Sequence, residues 1–371
     1  MRADHLPFHP EYSPTHLEQV SVQIREKYPD MTILHHLDEE QRLWGTSGRD
    51  IWVRTRQTWK RWAKFPFHSP RDYFGFSRPT ARAFRADKCN LYVNRFGNVL
   101  GIRAGTVYHV REGSDPVPLF SIQGDCVLHG SLAEDDQGNI YFGEYFMNST
   151  RQQVRIWQVA PQMDSWEAAY TFPAATIRHV HGVYRDPFEK ETYWVTVGDF
   201  SGECYLLCTR DQFKTFTRYG DGTQTWRAVR LFFSEDHINW ITDSNLERNS
   251  ACRMQRGSGE LETGMPIANS GWYGTTTREG LHVAFTTVEK GPGITSPYSQ
   301  ILISRDAFNW QAVHQFKKDF LRPVQVFKYG VISCPSGVMS RHDLYISGEG
   351  LVGLDGRSMR IDITAAGEKA E

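Results

Sequence analysis

The feature that most constrains the fold is a unit of about 48 residues that recurs along the chain. Each copy contains an aromatic and aliphatic run, a short polar turn with Asp or Gly, and a second run that begins near Trp or Phe. Five such copies begin at Asp50, Thr106, Val154, Glu203 and Gln300. Long stretches of helical period are scarce, and only residues 18–28 predict a helix. The unit length is typical of a four-stranded propeller blade.

A second series marks the start of each unit, with steps of 47, 47, 52, 46, 46 and 49 residues. Its members are His35, Arg82, His129, His181, Arg227, Tyr273 and Arg322. Seven units of this size fill the chain, so we predict an all-β fold, a seven-bladed β-propeller of four-stranded antiparallel blades. We expect one domain over residues 1–371, with an N-terminal extension over 1–28, blades over 29–364 and a tail over 365–371.

A third run in several units ends in a carboxylate, at Glu144, Asp199, Asp243 and Glu289. We assign the first series to the first strand of each blade and these acids to the end of the second strand. Neighbouring antiparallel strands begin and end on the same face, and the first strand of every blade lines the central channel. The sequence therefore predicts a ring of side chains at one channel mouth, with carboxylates just outside it.

Composition excludes several classes of protein. The 42 Lys and Arg residues balance 43 Asp and Glu residues, for a net charge of -1, so nucleic-acid binding is not expected. No signal-like start and no long apolar stretch is present, which predicts a cytoplasmic protein without membrane contact. The six cysteines form no C-x-x-C pair and are expected to be buried free thiols. Nothing in the composition indicates the oligomeric state.

Two turns resemble the Asp-box of carbohydrate-active propellers, TRDQFKTF at residues 209–216 and SRDAFNW at residues 304–310. Asp211 and Asp306 are expected to stabilise turns between third and fourth strands. Sialidase-like propellers carry such boxes, but they have six blades and an Arg-Ile-Pro motif that this chain lacks. Seven blades with His, Tyr and Arg at the mouth resemble the ulvan-lyase type of polysaccharide lyase more closely.

That resemblance implies an enzyme that cleaves a uronic-acid-containing poly- or oligosaccharide by β-elimination. Arg227 would neutralise the uronate carboxylate, and His129 or His181 would share the base and acid roles with Tyr273. Other residues are expected to bind the anionic sugar at a locally positive mouth. They are Arg82, His179, Arg230, Trp272, Arg322, Glu144, Asp199 and Asp243.

Other interpretations stay open from the sequence. Arg82, Arg227 and Arg322 could clamp a carboxylate in a sialidase-like hydrolase, with an Asp and Glu pair for acid–base work. The protein could also be a non-catalytic propeller that binds a glycan or a protein. Arg227 could instead form an ion pair with Asp199 or Asp243. No cofactor is expected, although His179 and His181 could share a divalent metal ion with His129 or Asp199 as third ligand.

Overall fold

The computed structural model describes residues 20–327 and 329–365, and these form seven four-stranded antiparallel sheets. The sheets follow one another along the chain as the blades of a propeller, which confirms the predicted fold. The first strands of several neighbouring blades contact one another, as at β14 and β18, so these strands form the inner ring. None of the helices in the described residues has the length and apolar composition needed to cross a bilayer.

The strands are short and numbered here in chain order. The strand before the first blade and those of blades one and two are β1 (Val20–Tyr28), β2 (Ile33–Leu37), β3 (Leu43–Ser47), β4 (Asp50–Thr55), β5 (Thr58–Lys64), β6 (Asn90–Val93), β7 (Val99–Arg103), β8 (Thr106–Val110) and β9 (Val117–Ser121). Blades three and four contain β10 (Ala133–Glu134), β11 (Ile140–Gly143), β12 (Val154–Val159), β13 (Trp166–Phe172), β14 (Val180–Arg185), β15 (Tyr193–Val197), β16 (Cys204–Thr209) and β17 (Thr217–Gly222).

The remaining strands complete the ring. Blades five, six and seven contain β18 (Ala228–Phe233), β19 (His237–Thr242), β20 (Asn249–Gln255), β21 (Leu261–Ile267), β22 (Ser270–Thr276), β23 (His282–Thr287), β24 (Tyr298–Ser304), β25 (Gln311–Lys317), β26 (Val331–Ser333), β27 (Leu344–Glu349) and β28 (Arg357–Ala365). Blade seven has the order β1-β28-β27-β26, so its outermost strand comes from the other end of the chain.

This closure corrects the sequence prediction for residues 18–28. The described part, residues 20–28, is the strand β1 and not a helix, and it pairs antiparallel with β28. Val20, Val22 and Ile24 alternate with polar residues, which is the period of a strand. The expected N-terminal extension thus contributes a blade strand, while residues 1–19 and 366–371 lie outside the described residues.

Repeated contacts hold the blades in the same way. The indole of Trp44 on β3 donates to Asp38, and the indole of Trp194 on β15 donates to Asp186, both at 2.8 Å. Each Asp precedes the second strand of its blade, so the bond ties the turn to a buried ring. Between blades the packing is close. A Cβ on Gly143 of β11 would lie 2.3 Å from Val180 of β14, so only glycine fits there.

The two Asp-box-like turns join third and fourth strands. Asp211, between β16 and β17, accepts hydrogen bonds from the backbone N–H of Thr215 at 3.0 Å and from its hydroxyl at 2.6 Å. Asp306, between β24 and β25, accepts from the backbone N–H of Asn309 at 2.8 Å. Both carboxylates thus satisfy donors of their own turn. All six cysteines are buried free thiols.

Two insertions interrupt the blades. The first, between β5 and β6, carries a 3₁₀ helix (Arg71–Phe74) and α1 (Arg78–Phe84), and the second, between β25 and β26, carries α2 (Val324–Phe327). A further 3₁₀ helix, Gln224–Trp226, precedes β18. Arg82 on α1 is 1% exposed and joins the insertions through Asp319 and the carbonyl of Phe327.

Candidate functional site at the channel mouth

A cavity of about 750 Å³ opens where first strands begin and second strands end. Its size lies within the usual range for small-molecule sites. Of the residues singled out from the sequence, its wall includes His129, His179, Asp199, Arg227, Asp243, Trp272, Tyr273 and Glu289. Three of the four second-strand acids lie where the topology predicts. Asp243 directly follows β19, and Asp199 and Glu289 lie two residues beyond β15 and β23.

Asp199 is the centre of the polar network in this wall. Its Oδ1 lies 3.1 Å from Nε2 of His181 and 3.0 Å from a guanidinium nitrogen of Arg227. Its Oδ2 lies 3.4 Å from Nε2 of His179 and 2.5 Å from the guanidinium of Arg178. Burial alone would raise the pKa of this carboxyl, but His179, His181 and Arg227 outweigh it and hold the pKa well below its usual value.

His179 and His181 face each other beside that carboxylate, with their Nε2 atoms 3.0 Å apart. Their Nδ1 atoms lie 2.9 Å from the carbonyl oxygens of Phe146 and Ala228, respectively. Burial lowers the pKa of His179. The ligand atoms of His179, His181 and Asp199 all lie within 4.8 Å of one another, so these three residues could hold a metal ion.

Local strand irregularities aim these rings. The β14–β15 register shifts between Val180 and Gly182, so His181 is the extra residue of a β-bulge. Equivalent shifts leave His35 unpaired on β2 and Trp272 unpaired on β22. A bulge turns the side chain away from the regular alternation of the strand. Three blades thus use the same device at the channel mouth.

Arg227 contacts several protein groups, although its Nε makes no well-aligned hydrogen bond in the described residues. Besides Asp199 it forms an ion pair with Asp243, at 3.2 Å, and donates to the carbonyl of Asp199 at 3.1 Å. This is the ion-pair alternative considered for Arg227. Trp272 donates to the other oxygen of Asp243 at 2.6 Å, so that carboxylate is tied to blades five and six.

Glu289 is a third acidic residue in the cavity wall, beside Asp199 and Asp243. Its burial and the nearby charge of Asp243 raise its pKa to about 8, so the carboxyl is protonated at neutral pH. The nearby hydroxyl of Ser270 lowers this pKa slightly but forms no well-aligned hydrogen bond with the carboxyl group. The Oε1 atom of Glu289 has no hydrogen-bond partner in the described part of the chain. Burial likewise raises the pKa of Asp243.

Three rings form a second group in the channel wall. The His129 ring lies 5.6 Å from that of His35 and 5.7 Å from that of Tyr273, measured between centroids. Burial and the charge of Lys88 lower the pKa of His129 to about 3, and burial raises that of Tyr273. Both groups are therefore neutral across the physiological range. His35 bonds to Thr46 at 2.9 Å behind them.

Several residues expected at the site lie elsewhere. Arg82 and Arg322 are in the two insertions and not on first strands, because β6 and β26 begin later in their units; Arg322 is exposed and donates to backbone carbonyls. Glu144 is fully buried and accepts from the indole of Trp157 and two backbone N–H groups. Arg230 stacks over Tyr184 and Phe232. His181 lies behind His179 and does not line the cavity.

The cavity wall also contains residues that the sequence analysis did not single out. The ring of Tyr145 packs against that of His179 at a tilt of 40°, with ring centroids 4.2 Å apart, and Arg178 precedes the His-x-His pair. One terminal nitrogen of Arg178 binds Asp199, and in the described residues the other donates to the thioether of Met147, which is 82% exposed. The guanidinium also packs over the ring of Phe200. In the sequence, Tyr145 directly follows Glu144 and Arg178 directly precedes His179. This adjacency to predicted site residues was the one sequence feature that could have indicated them.

Charges in the wall are balanced, so the locally positive mouth expected from a ring of arginines does not form in the described residues. Five basic side chains line it together with six acidic ones. Each basic side chain is ion-paired, as in the 2.6 Å contact of Lys88 with Glu349 and the 2.9 Å contact of Arg85 with Asp125.

Comparison with known proteins supports the fold alone. No protein-family model and no curated protein matches the chain. Among solved structures, an oligogalacturonate lyase from Vibrio parahaemolyticus is 8% identical, with a TM-score of 0.57 and coverage of 90% of both chains. YCF48 bound to D1 peptide is 10% identical, with a TM-score of 0.52 and coverage of 94% of this chain and 98% of that one. The WD40 repeats of RRP9 are 9% identical, with a TM-score of 0.51 and coverage of 93% and 98%.

Proposed function

We propose that the protein is a carbohydrate-active enzyme that cleaves a uronic-acid-containing oligosaccharide by β-elimination in the cavity at the channel mouth. The observation that carries this proposal is the state of Arg178. Within the described residues, one of its terminal nitrogens has the thioether of Met147 as its one hydrogen-bond acceptor, and sulfur is a weak acceptor. A uronate carboxylate would replace that contact with a charge-assisted hydrogen bond, which is about twice as strong as a neutral one. Both terminal nitrogens of Arg227 already contact oxygen atoms, so we assign carboxylate binding to Arg178.

The reaction also requires a base for the proton beside the carboxylate and an acid for the leaving oxygen. We assign the base to His129, a neutral ring in the cavity wall. Its lowered pKa makes the free ring a weak base, so the assignment requires that the bound uronate carboxylate raise this pKa. Tyr273 keeps its hydroxyl proton, since burial raises its pKa, and it lies in ring contact with His129. It would donate that proton to the leaving oxygen. His181 then positions His179 and Asp199 and does not act on the substrate.

Aromatic walls suit a sugar ligand. Trp272, Tyr145 and Tyr329 border the cavity, and such rings pack against the apolar faces of sugars. The oligogalacturonate lyase similar in fold acts, by its name, on an acidic sugar oligomer. That likeness is an analogy of architecture, and the assignment depends on the site residues.

The test is to incubate the protein with uronate-containing oligosaccharides and their neutral counterparts. A lyase generates ultraviolet absorbance from the new carbon–carbon double bond, in step with new reducing ends. We expect His129→Asn and Tyr273→Phe to lower turnover by about 10²–10⁴-fold while binding is retained. Arg218→Ala is the matched control, because this arginine packs on Tyr205 away from the cavity. Equal binding of neutral and acidic oligosaccharides would contradict the proposal.

A second candidate function has its own observation. Glu289 and Asp199 both line the cavity, and the pKa of Glu289 is raised while that of Asp199 is lowered, which is the protonated acid and ionised carboxylate that glycoside hydrolases use. Reducing ends without ultraviolet absorbance, lost in Glu289→Gln, would favour a hydrolase. Binding without either signal would indicate a non-catalytic propeller.

A further inference from the structure

We infer that His179, His181 and Asp199 bind one divalent first-row transition-metal ion, with an open coordination position that faces the cavity. This inference goes beyond the proposed function, because metal binding requires no sugar. It depends on the tautomers of the two imidazoles, the spacing of three ligand atoms and the nature of the donor set.

The backbone sets the tautomer of both rings. Nδ1 of His179 lies 2.9 Å from the carbonyl oxygen of Phe146, and Nδ1 of His181 lies 2.9 Å from that of Ala228. A carbonyl oxygen only accepts, so each Nδ1 must carry the hydrogen. In a neutral ring the lone pair is then on Nε2. Metal-binding histidines show this same outer contact, in which the second nitrogen donates to a carbonyl or carboxylate.

When both rings are neutral, three lone-pair atoms therefore converge without a hydrogen between them, and a metal ion would take the place of the proton through which the rings otherwise hydrogen-bond to Asp199. The two Nε2 atoms are 3.0 Å apart, and oxygens of Asp199 lie 3.1 and 3.4 Å from them. Ligands at about 2.0–2.1 Å from a tetrahedral zinc ion are separated by about 3.3 Å, which is close to these values. A cation at the centre would replace mutual repulsion by three attractive contacts.

The donor set also indicates the class of ion. Two imidazoles and one carboxylate suit Zn²⁺ and neighbouring transition ions, whereas Mg²⁺ and Ca²⁺ prefer oxygen ligands. Arg178 and Arg227 each take one lone pair on the oxygens of Asp199 and hold that carboxylate in place. A carboxylate offers about four such positions, so enough remain for the ion. His179 and Asp199 line the cavity and His181 does not, so the open position faces the cavity.

The test is a metal titration of protein that has been stripped with a chelator. We expect one equivalent of Zn²⁺ per chain by elemental analysis and calorimetry, and a visible Co²⁺ spectrum typical of mixed nitrogen and oxygen ligands. His179→Ala should weaken Zn²⁺ binding by at least about 100-fold, since even loss of an outer-shell partner costs up to that factor. His129→Asn is the matched control, a cavity histidine outside the three ligands, and should bind one equivalent.

Two results would overturn the inference. One is wild-type protein that takes up less than a stoichiometric amount of Zn²⁺ and Co²⁺, in which case the two rings share a proton instead. The other is a His179→Ala variant, folded by circular dichroism, that binds as tightly as the parent. Neither readout depends on sugar cleavage, so failure of the proposed lyase activity leaves this test intact.

Discussion

Replacing Glu289 by glutamine should make the protein more stable at neutral pH and flatten the pH dependence of its stability. Glutamine retains the size and the neutral state of the protonated carboxyl but cannot ionise. The group is buried beside Asp243, and these two facts raise its pKa from 4.5 to about 8. Unfolding exposes it to water, where the ordinary value returns.

The sign follows from proton binding. Between pH 4.5 and about 8 the folded protein retains a proton that the unfolded chain has released, so the free energy of unfolding falls as the pH rises. The stabilisation is fully present below pH 4.5 and is lost as the pH rises through the folded pKa. The slope is about 1.4 kcal/mol per pH unit, so from about pH 5.5 to about pH 7.5 the protein loses about 3 kcal/mol through this group.

Urea denaturation at a series of pH values measures this directly, with the parent, Glu289→Gln and Glu167→Gln. Glu167 is exposed on β13, so its replacement should leave the pH profile of the parent unchanged. The parent and Glu289→Gln should be similar in stability near pH 5 and diverge as the pH rises, roughly as the slope above predicts. Parallel profiles for the parent and Glu289→Gln would refute the reasoning, because they would show that Glu289 ionises as readily in the folded protein as in water.

Three further predictions concern other residues. Arg178→Ala should weaken binding of a uronate oligosaccharide by roughly 10- to 100-fold in calorimetry and leave a neutral oligosaccharide unaffected, as expected for one charge-assisted hydrogen bond. Asp211→Ala should lower the free energy of unfolding in urea titrations, because it leaves turn donors such as Thr215 without their acceptor. Lys88 outweighs the burial of Glu349 and lowers its pKa from 4.5 to about 2, a stabilisation present above pH 4.5 and lost as the pH falls towards 2. Lys88→Met should therefore remove stability at neutral pH and little near pH 2, as measured by thermal unfolding.

The blade count could be predicted because each blade repeats the same local pattern. A unit of about 48 residues, with an aromatic and aliphatic run, a polar turn and a second run, recurs along the chain. Topology then decides which ends share a face, so the positions of Asp199, Asp243 and Glu289 followed from strand order alone. These features depend on the length of the repeated unit and on the direction of each strand within it, and both can be inferred from one sequence.

Other features depend on contacts between distant residues. Arg82 and Arg322 have the spacing expected of first-strand residues only by coincidence, because each lies in an insertion that precedes the first strand of its blade. A regular alternation of side chains cannot reveal the bulge at His181, which depends on the register with β15. Residues 20–28 alternate like a strand, but their partner β28 follows only after the seven units, so the local pattern gave no reason to add them to a blade.

That distant pairing has a consequence for how the ring forms. The hydroxyls of Ser21 and Thr364 lie 3.1 Å apart across the closing pair of strands, although 343 positions separate them in the chain. Every other blade assembles from neighbouring hairpins, whereas blade seven must bring together the two ends of the described chain and lose the corresponding configurational freedom. We therefore expect this strand pair to form after the hairpins of the other blades. A circular permutant that begins at β2 and joins β28 to β1 by a short connection would turn this pairing into an ordinary hairpin.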